Sequence, residues 1–215
     1  MAGNRRDGRL LRGERSREAI LGQAVSLASV HGLGGLSLGR LAEAAGVSKS
    51  GFFAHWRDKE QLQLDAVEWA RLQWIEHIVQ PALQAPAGVR RVLALHEARL
   101  RFYADEVLPG GCFFFVAQVE FDDRPGPVRD RIAKALAGWV GFIEQVVEEA
   151  VALGELSADT DPGQLAYEID ALGEAAVTHA RLLDRDAAYR RAHRAVLQRL
   201  RALATDPALL PEDPS

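Results

Sequence analysis

Two glycine breaks, Gly32-Leu33-Gly34-Gly35 and Gly46, cut the early part of this chain into helical pieces too short to stand alone. After the first break, Ser37 is placed to cap a helix running through Ala44 or Ala45. After the second, Ser48 is placed to cap another that runs to about Trp56. Leu38, Leu41, Ala42, Ala45 and Val47 are the apolar positions, and small Ala42 lets two helices cross closely. Gly46 supplies the turn, where a positive φ costs glycine little. Two such pieces must cover one another and a third helix, so the spacing predicts a compact helix-turn-helix.

The third helix precedes them. Ile20, Ala24, Leu27, Ala28 and Val30 recur at helical spacing from about Glu14 to His31, with Gly32 as the stop. Residues 1–13 are rich in Gly and Arg and read as a flexible basic arm. Asp58 caps a fourth helix, predicted to reach Val79 and end before Pro81. Beyond the Pro81–Pro86 spacer, helices are expected over 87–107, 127–153, 162–183 and 186–204. Segment 113–121, FFFVAQVEF, has strand preference by composition, but its place between long helices argues for a buried helix. The reading is all-α, with a head at 1–57, a helical body at 58–215, and helix 58–79 joining them.

Charge separates along the same line. The chain carries a net −4, yet residues 1–60 hold ten Lys and Arg against six Asp and Glu, a net +4. The remaining residues therefore carry −8. A basic head on an acidic body suits a protein that meets phosphate at one end. Cys112 is the only cysteine, so no internal disulfide can form. No apolar run is long enough to span a membrane, and no signal-like segment follows the first arginines, so a cytoplasmic protein is expected.

The helix opened by Ser48 is thin and polar at its start, and such a helix can enter a major groove and place its first residues on base edges. The stretch Leu36–Leu62, LSLGRLAEAAGVSKSGFFAHWRDKEQL, resembles the DNA-binding motif of TetR-family regulators, and the likeness extends over about residues 14–78. The resemblance implies an all-α homodimer whose C-terminal domain binds a small molecule and dimerises. It implies a transcriptional regulator, on family habit a repressor released from a palindromic operator by its ligand. Lys49, Ser50 and Gly51 match positions that face base edges. Ser37, Ser48, His55 and Lys59 match positions that contact phosphate, and Arg40 and Phe53 complete the set. Phe53 stands where the family usually has Tyr, so one hydroxyl contact is missing, worth about 1 kcal/mol.

By the same resemblance, helices 162–183 and 186–204 pair with their symmetry mates. Leu165, Ile169, Leu172, Ala176 and Val196, with Leu200, are the expected interface. In the body, Phe102, Phe115, Trp139 and Phe142 are candidates to line a pocket for an apolar or aromatic effector. His96, Tyr103 and His179 are its polar candidates. A stripe of aromatics is more often plain core, and that reading stands beside the pocket.

No zinc-binding helix motif, Cys pair or phosphate loop is present, and Gly46-Val-Ser48-Lys-Ser50 fails the nucleophile-elbow pattern. The histidines show no metal-ligand spacing. No enzyme activity and no cofactor are expected. The competing reading is a helical ligand-binding or adaptor protein whose helix-turn-helix no longer binds DNA.

Overall fold

The structure is a computed structural model that describes residues 3–46, 48 and 52–212, with side chains from residue 13 onward. The described residues form eight principal helices and no strand; a single isolated β-bridge pairs Leu156 with Ala204. The helices are α1 (Gly3–His31), α2 (Leu38–Ala44), α3 (Lys59–Trp74), α4 (Val89–Ala104), α5 (Phe113–Phe121), α6 (Pro127–Ala152), α7 (Pro162–Leu182) and α8 (Arg185–Leu203). Two compact units emerge: Met1–Arg71 with Leu108–Ala133, and Leu72–Val107 with Lys134–Ser215.

In the first unit, α1 packs on α5 and α2. Ile20, Leu21, Ala24, Val25 and Ala28 form the inward stripe of α1 at helical spacing. Leu41 and Ala42 of α2 are buried, while Leu38 and Ala45 are half-buried. The FFFVAQVEF segment is helical, as its position between long helices required. Strand preference yields here because a lone strand has no partner for its backbone groups. Cys112 is buried and caps this helix, its sulfur accepting the Phe115 amide at 3.4 Å.

Two expectations are corrected. The expected flexible arm over residues 1–13 is helical from Gly3 on, where α1 begins, so the arginine-rich segment continues the helix backwards. Arg and Leu are good helix formers, and an existing helix extends at far lower cost than a new one nucleates. The helix after Asp58 does not stop at Val79. It passes through a π-helical turn, Ile75–Val79, into Gln80–Ala82, with Pro81 inside. The wider turn closes with the Gln80 amide on the Ile75 carbonyl and relieves the crowding a proline imposes on the preceding turn.

In the second unit, α7 and α8 pack along their length, and α4 packs on both. Asp161 and Asp184 cap α7 and α8 by accepting the Gln164 and Ala187 amides. No side chain of its own caps α4; instead Glu155, from the turn after α6, accepts the Val89 amide at 2.8 Å.

Candidate nucleic-acid interface and the buried cluster of the second unit

The segment after Gly46 is held at its far end by one tryptophan, Trp56, which is 1% exposed. Its indole donates to Asp65 Oδ2 of α3 at 2.8 Å, and Arg17 of α1 reaches the same oxygen at 2.6 Å while stacking over the indole. Phe52 is buried beside Trp56, so one aromatic pair ties the short helix to both of its neighbours. Backbone bonds from Phe52 to the Ser48 carbonyl and from His55 to Phe52 continue the helical turn.

The approach to α2 is fixed as tightly. Glu120 of α5 accepts the Gly34 amide at 2.8 Å and an Arg124 bond at 3.1 Å. Lys59 donates to the Gly34 carbonyl at 2.5 Å, and Gln63 donates to the Leu33 carbonyl at 3.0 Å. Close by, Gly110 donates to the Ser29 hydroxyl, and a Cβ there would overlap the Ser29 carbonyl. The glycine break between α1 and α2 is thus held by side chains at Leu33 and Gly34. Gly46 takes a φ of +65°, the conformation the turn between the two short helices requires.

Around this frame, Ser37, Arg40, Ser48 and Phe53 are exposed, while His55 and Lys59 are half-buried. Ser37 caps α2, its hydroxyl accepting from the Arg40 amide at 3.5 Å, which is long. Lys59 spends one of its three donors on Gly34. Lys49, Ser50 and Gly51, and Val47 before them, lie outside the described residues.

The pocket candidates separate. His96, Phe102, Tyr103 and Trp139 are buried in the second unit, with Phe142 half-buried. Phe115 is half-buried on α5 in the first unit. His179 is corrected: it is exposed near the end of α7. The dimer candidates change role as well. Leu165, Ile169, Ala176, Val196 and Leu200 are all at most 3% exposed within one chain, so they are core, and only Leu172 is half-exposed. Their apolar face is consumed by packing among α4, α7 and α8.

Sequence reading passed over the most highly organised polar group of the second unit. Arg99 is 2% exposed on α4 and binds Asp170 of α7 at 2.8 Å. Its Nε donates to the Tyr103 hydroxyl at 2.6 Å, and its guanidinium lies 5.5–5.8 Å from the Trp74, Tyr103 and Trp139 ring centres. Trp139 donates to the same Asp170 oxygen at 2.9 Å. A Cβ on Gly173 would overlap the guanidinium, so that glycine makes room for it. One signal was available: Arg99 interrupts the apolar stripe Leu95, His96, Tyr103, and Asp170 interrupts that of Ile169 and Val177. Next to Arg99, neither ring nitrogen of His96 has a hydrogen-bond partner among the described residues. Burial, reinforced by the Arg99 charge, pushes its pKa down to about 3, so the ring is neutral at ordinary pH.

Comparison with known proteins agrees with this architecture. Residues 20–66 match the family described as bacterial regulatory proteins, tetR family, and residues 88–196 match tetracyclin repressor-like, C-terminal domain. The chain belongs to the TetR family. It is a DNA-binding transcriptional regulator, and its family and fold are those of regulators rather than of enzymes. A TetR transcriptional regulator from Chloroflexus aurantiacus is similar over 90% of this chain and 98% of its own, at 26% identity and a TM-score of 0.83. A TetR-family regulator from Cytophaga hutchinsonii is similar in fold over 91% and 98% of the two chains, at 19% identity and a TM-score of 0.78. AibR, solved with isovaleryl coenzyme A and operator DNA, is similar in fold over 82% and 96%, at 20% identity and a TM-score of 0.65. No curated protein sequence matches the chain. No described helix is long and apolar enough to cross a membrane.

Proposed function

We propose that this regulator is a cytoplasmic homodimeric repressor that leaves a palindromic operator when a small molecule binds its second unit. The observation that carries the DNA reading is the anchoring of the second short helix. Trp56, held by Asp65 and Arg17, fixes its end, while Ser37, Arg40, Ser48 and Phe53 are left exposed. In this reading Lys49, Ser50 and Gly51 address base edges. Ser37, Ser48, His55 and Lys59 hold phosphate, and Arg40 and Phe53 flank them.

Dimerisation is assigned to the outer face of α7 rather than to the buried set. Tyr167 is 68% exposed and Leu182 77%, and Ala171 and half-exposed Leu172 lie between them. An apolar strip with small residues at its centre suits close pairing with a second copy. The effector is assigned to the aromatic interior, near Phe102, Trp139 and Phe142, with His96 and Tyr103 as polar contacts. AibR offers a precedent in the fold for a regulator holding both a small molecule and operator DNA. Helix α3 contributes residues to both units, so a shift of that helix is the proposed link between effector and head.

Selection of bound fragments from the source genome by the purified protein tests the reading, with Lys49→Ala as control. Enrichment of a palindromic site, lost in the variant and falling steeply with salt, supports it. No enrichment at low salt would move the adaptor alternative forward.

A further inference from the structure

A cleft of about 700 Å³ opens between α4 and α8, away from the aromatic interior. Its floor is apolar, from Leu100 and Ala187, with the Tyr189 ring at its side. Its walls are cationic: Arg101 from α4, and Arg190, Arg191 and Arg194 from α8. The single carboxylate among the lining residues, Glu97, is already bound to His193 Nε2 at 3.0 Å and lies 3.9 Å from Arg101. Arg190 and Arg191 are exposed, and no ion pair holds them among the described residues.

Residues beyond 60 carry a net −8, yet α8 alone holds six arginines against one aspartate, and three of the six line this cleft. Arg190 and Arg191, exposed beside Arg101 and Arg194 in one concavity, gain most from an anion that they can share. Arginine rather than lysine is used throughout, and its planar fork matches phosphate oxygens in pairs. The volume lies within the usual range for a small-molecule site, and the apolar floor asks for a hydrocarbon part.

We propose that the α4–α8 cleft binds a phosphorylated small molecule with an apolar portion, at a site separate from the aromatic interior. The guanidinium groups hold the phosphate, and Leu100, Ala187 and Tyr189 cover the apolar part. Nothing in this assignment depends on how the head reads DNA.

The test is calorimetric titration of the full chain with octyl phosphate, inorganic phosphate and octanoate. The expected order is octyl phosphate tightest, with one site per chain. Inorganic phosphate loses the apolar contact, octanoate loses charge, and each binds about tenfold or more weakly. Arg190→Ser with Arg191→Ser should weaken octyl phosphate about tenfold or more while leaving helicity and sedimentation unchanged. The Arg190→Lys, Arg191→Lys pair should retain part of the binding. The proposal is overturned if octyl phosphate does not bind, or binds the double serine variant equally. It is overturned too if the double variant dissociates the dimer while the parent ignores octyl phosphate. That last outcome would give these arginines to a second copy of the chain.

Discussion

At the break between α1 and α2 in the first unit, polar side chains reach for main chain. Glu120 takes the Gly34 amide, Gln63 and Lys59 give to the Leu33 and Gly34 carbonyls, and Ser29 takes the Gly110 amide. In the second unit they reach for each other: Arg99, Asp170, Tyr103 and Trp139 share one cluster between α4, α6 and α7. The two habits solve different problems. An irregular turn between helices leaves its own amides and carbonyls without partners, and a side chain that satisfies them also fixes the turn's shape. Packed helices have no such orphans, and a charged pair between them instead sets which residues lie opposite which. A head that must hold two short helices at a fixed angle needs the first device. A body that can offer a polar foothold inside an aromatic interior has the second.

The comparison breaks most readily at Asp170. Asp170→Ala leaves the Arg99 guanidinium buried without its carboxylate, and the expected cost is about 3–5 kcal/mol in urea unfolding. Replacing both partners, Arg99→Met with Asp170→Leu, should recover most of that loss. A single-variant cost below about 1 kcal/mol would mean that water reaches the pair and that the cluster does not hold the helices.

A paired glycine experiment sharpens the contrast. Gly110→Ala drives a methyl into the Ser29 carbonyl, which belongs to helix backbone, whereas Gly173→Ala meets the end of the Arg99 side chain. The first should cost about 3 kcal/mol and the second about 1 kcal/mol, because a side chain can give way where backbone cannot. Equal losses in thermal unfolding would show the Arg99 cluster to be as rigid as main chain.

The smallest effect is pH dependence from His96. Unfolded, the ring gains its proton near 6.5; folded, it does so only at about 3. Between those values the unfolded state binds the extra proton, so stability falls as pH drops through that window and this group contributes no slope above it. The expected slope well inside the window is about 1 kcal/mol per pH unit. His96→Leu should flatten it in urea titrations compared at pH 5 and pH 7.5, and an unchanged slope would place its origin elsewhere.

The helices were legible because a 3.6-residue apolar repeat survives any tertiary context, and the anchor residues of the head follow from one dense motif. What could not be read was where each apolar stripe finds its cover. Leu165, Ile169 and Val196 form the kind of stripe that a dimer or a core would use, and periodicity is blind to the difference. The surface left open on α7 instead carries Tyr167, Ala171 and Leu182, a pattern too mixed to stand out. Arg99 and Asp170 are 71 residues apart, so neither charge announces its partner in sequence. His179 was misplaced for the converse reason: a histidine beside apolar neighbours shows no sign of which way its helix faces.

The π turn at Ile75–Val79 also has a consequence for counting. Trp74, Ile78 and Ala82 are all buried, each four residues after the last, whereas a regular helix would carry such a series steadily around its axis. The wider turn absorbs the surplus residue and keeps the three on one side. A relative with an unbroken helix here needs one residue fewer to present the same face. An ungapped alignment across this point would therefore pair every later position with the wrong neighbour.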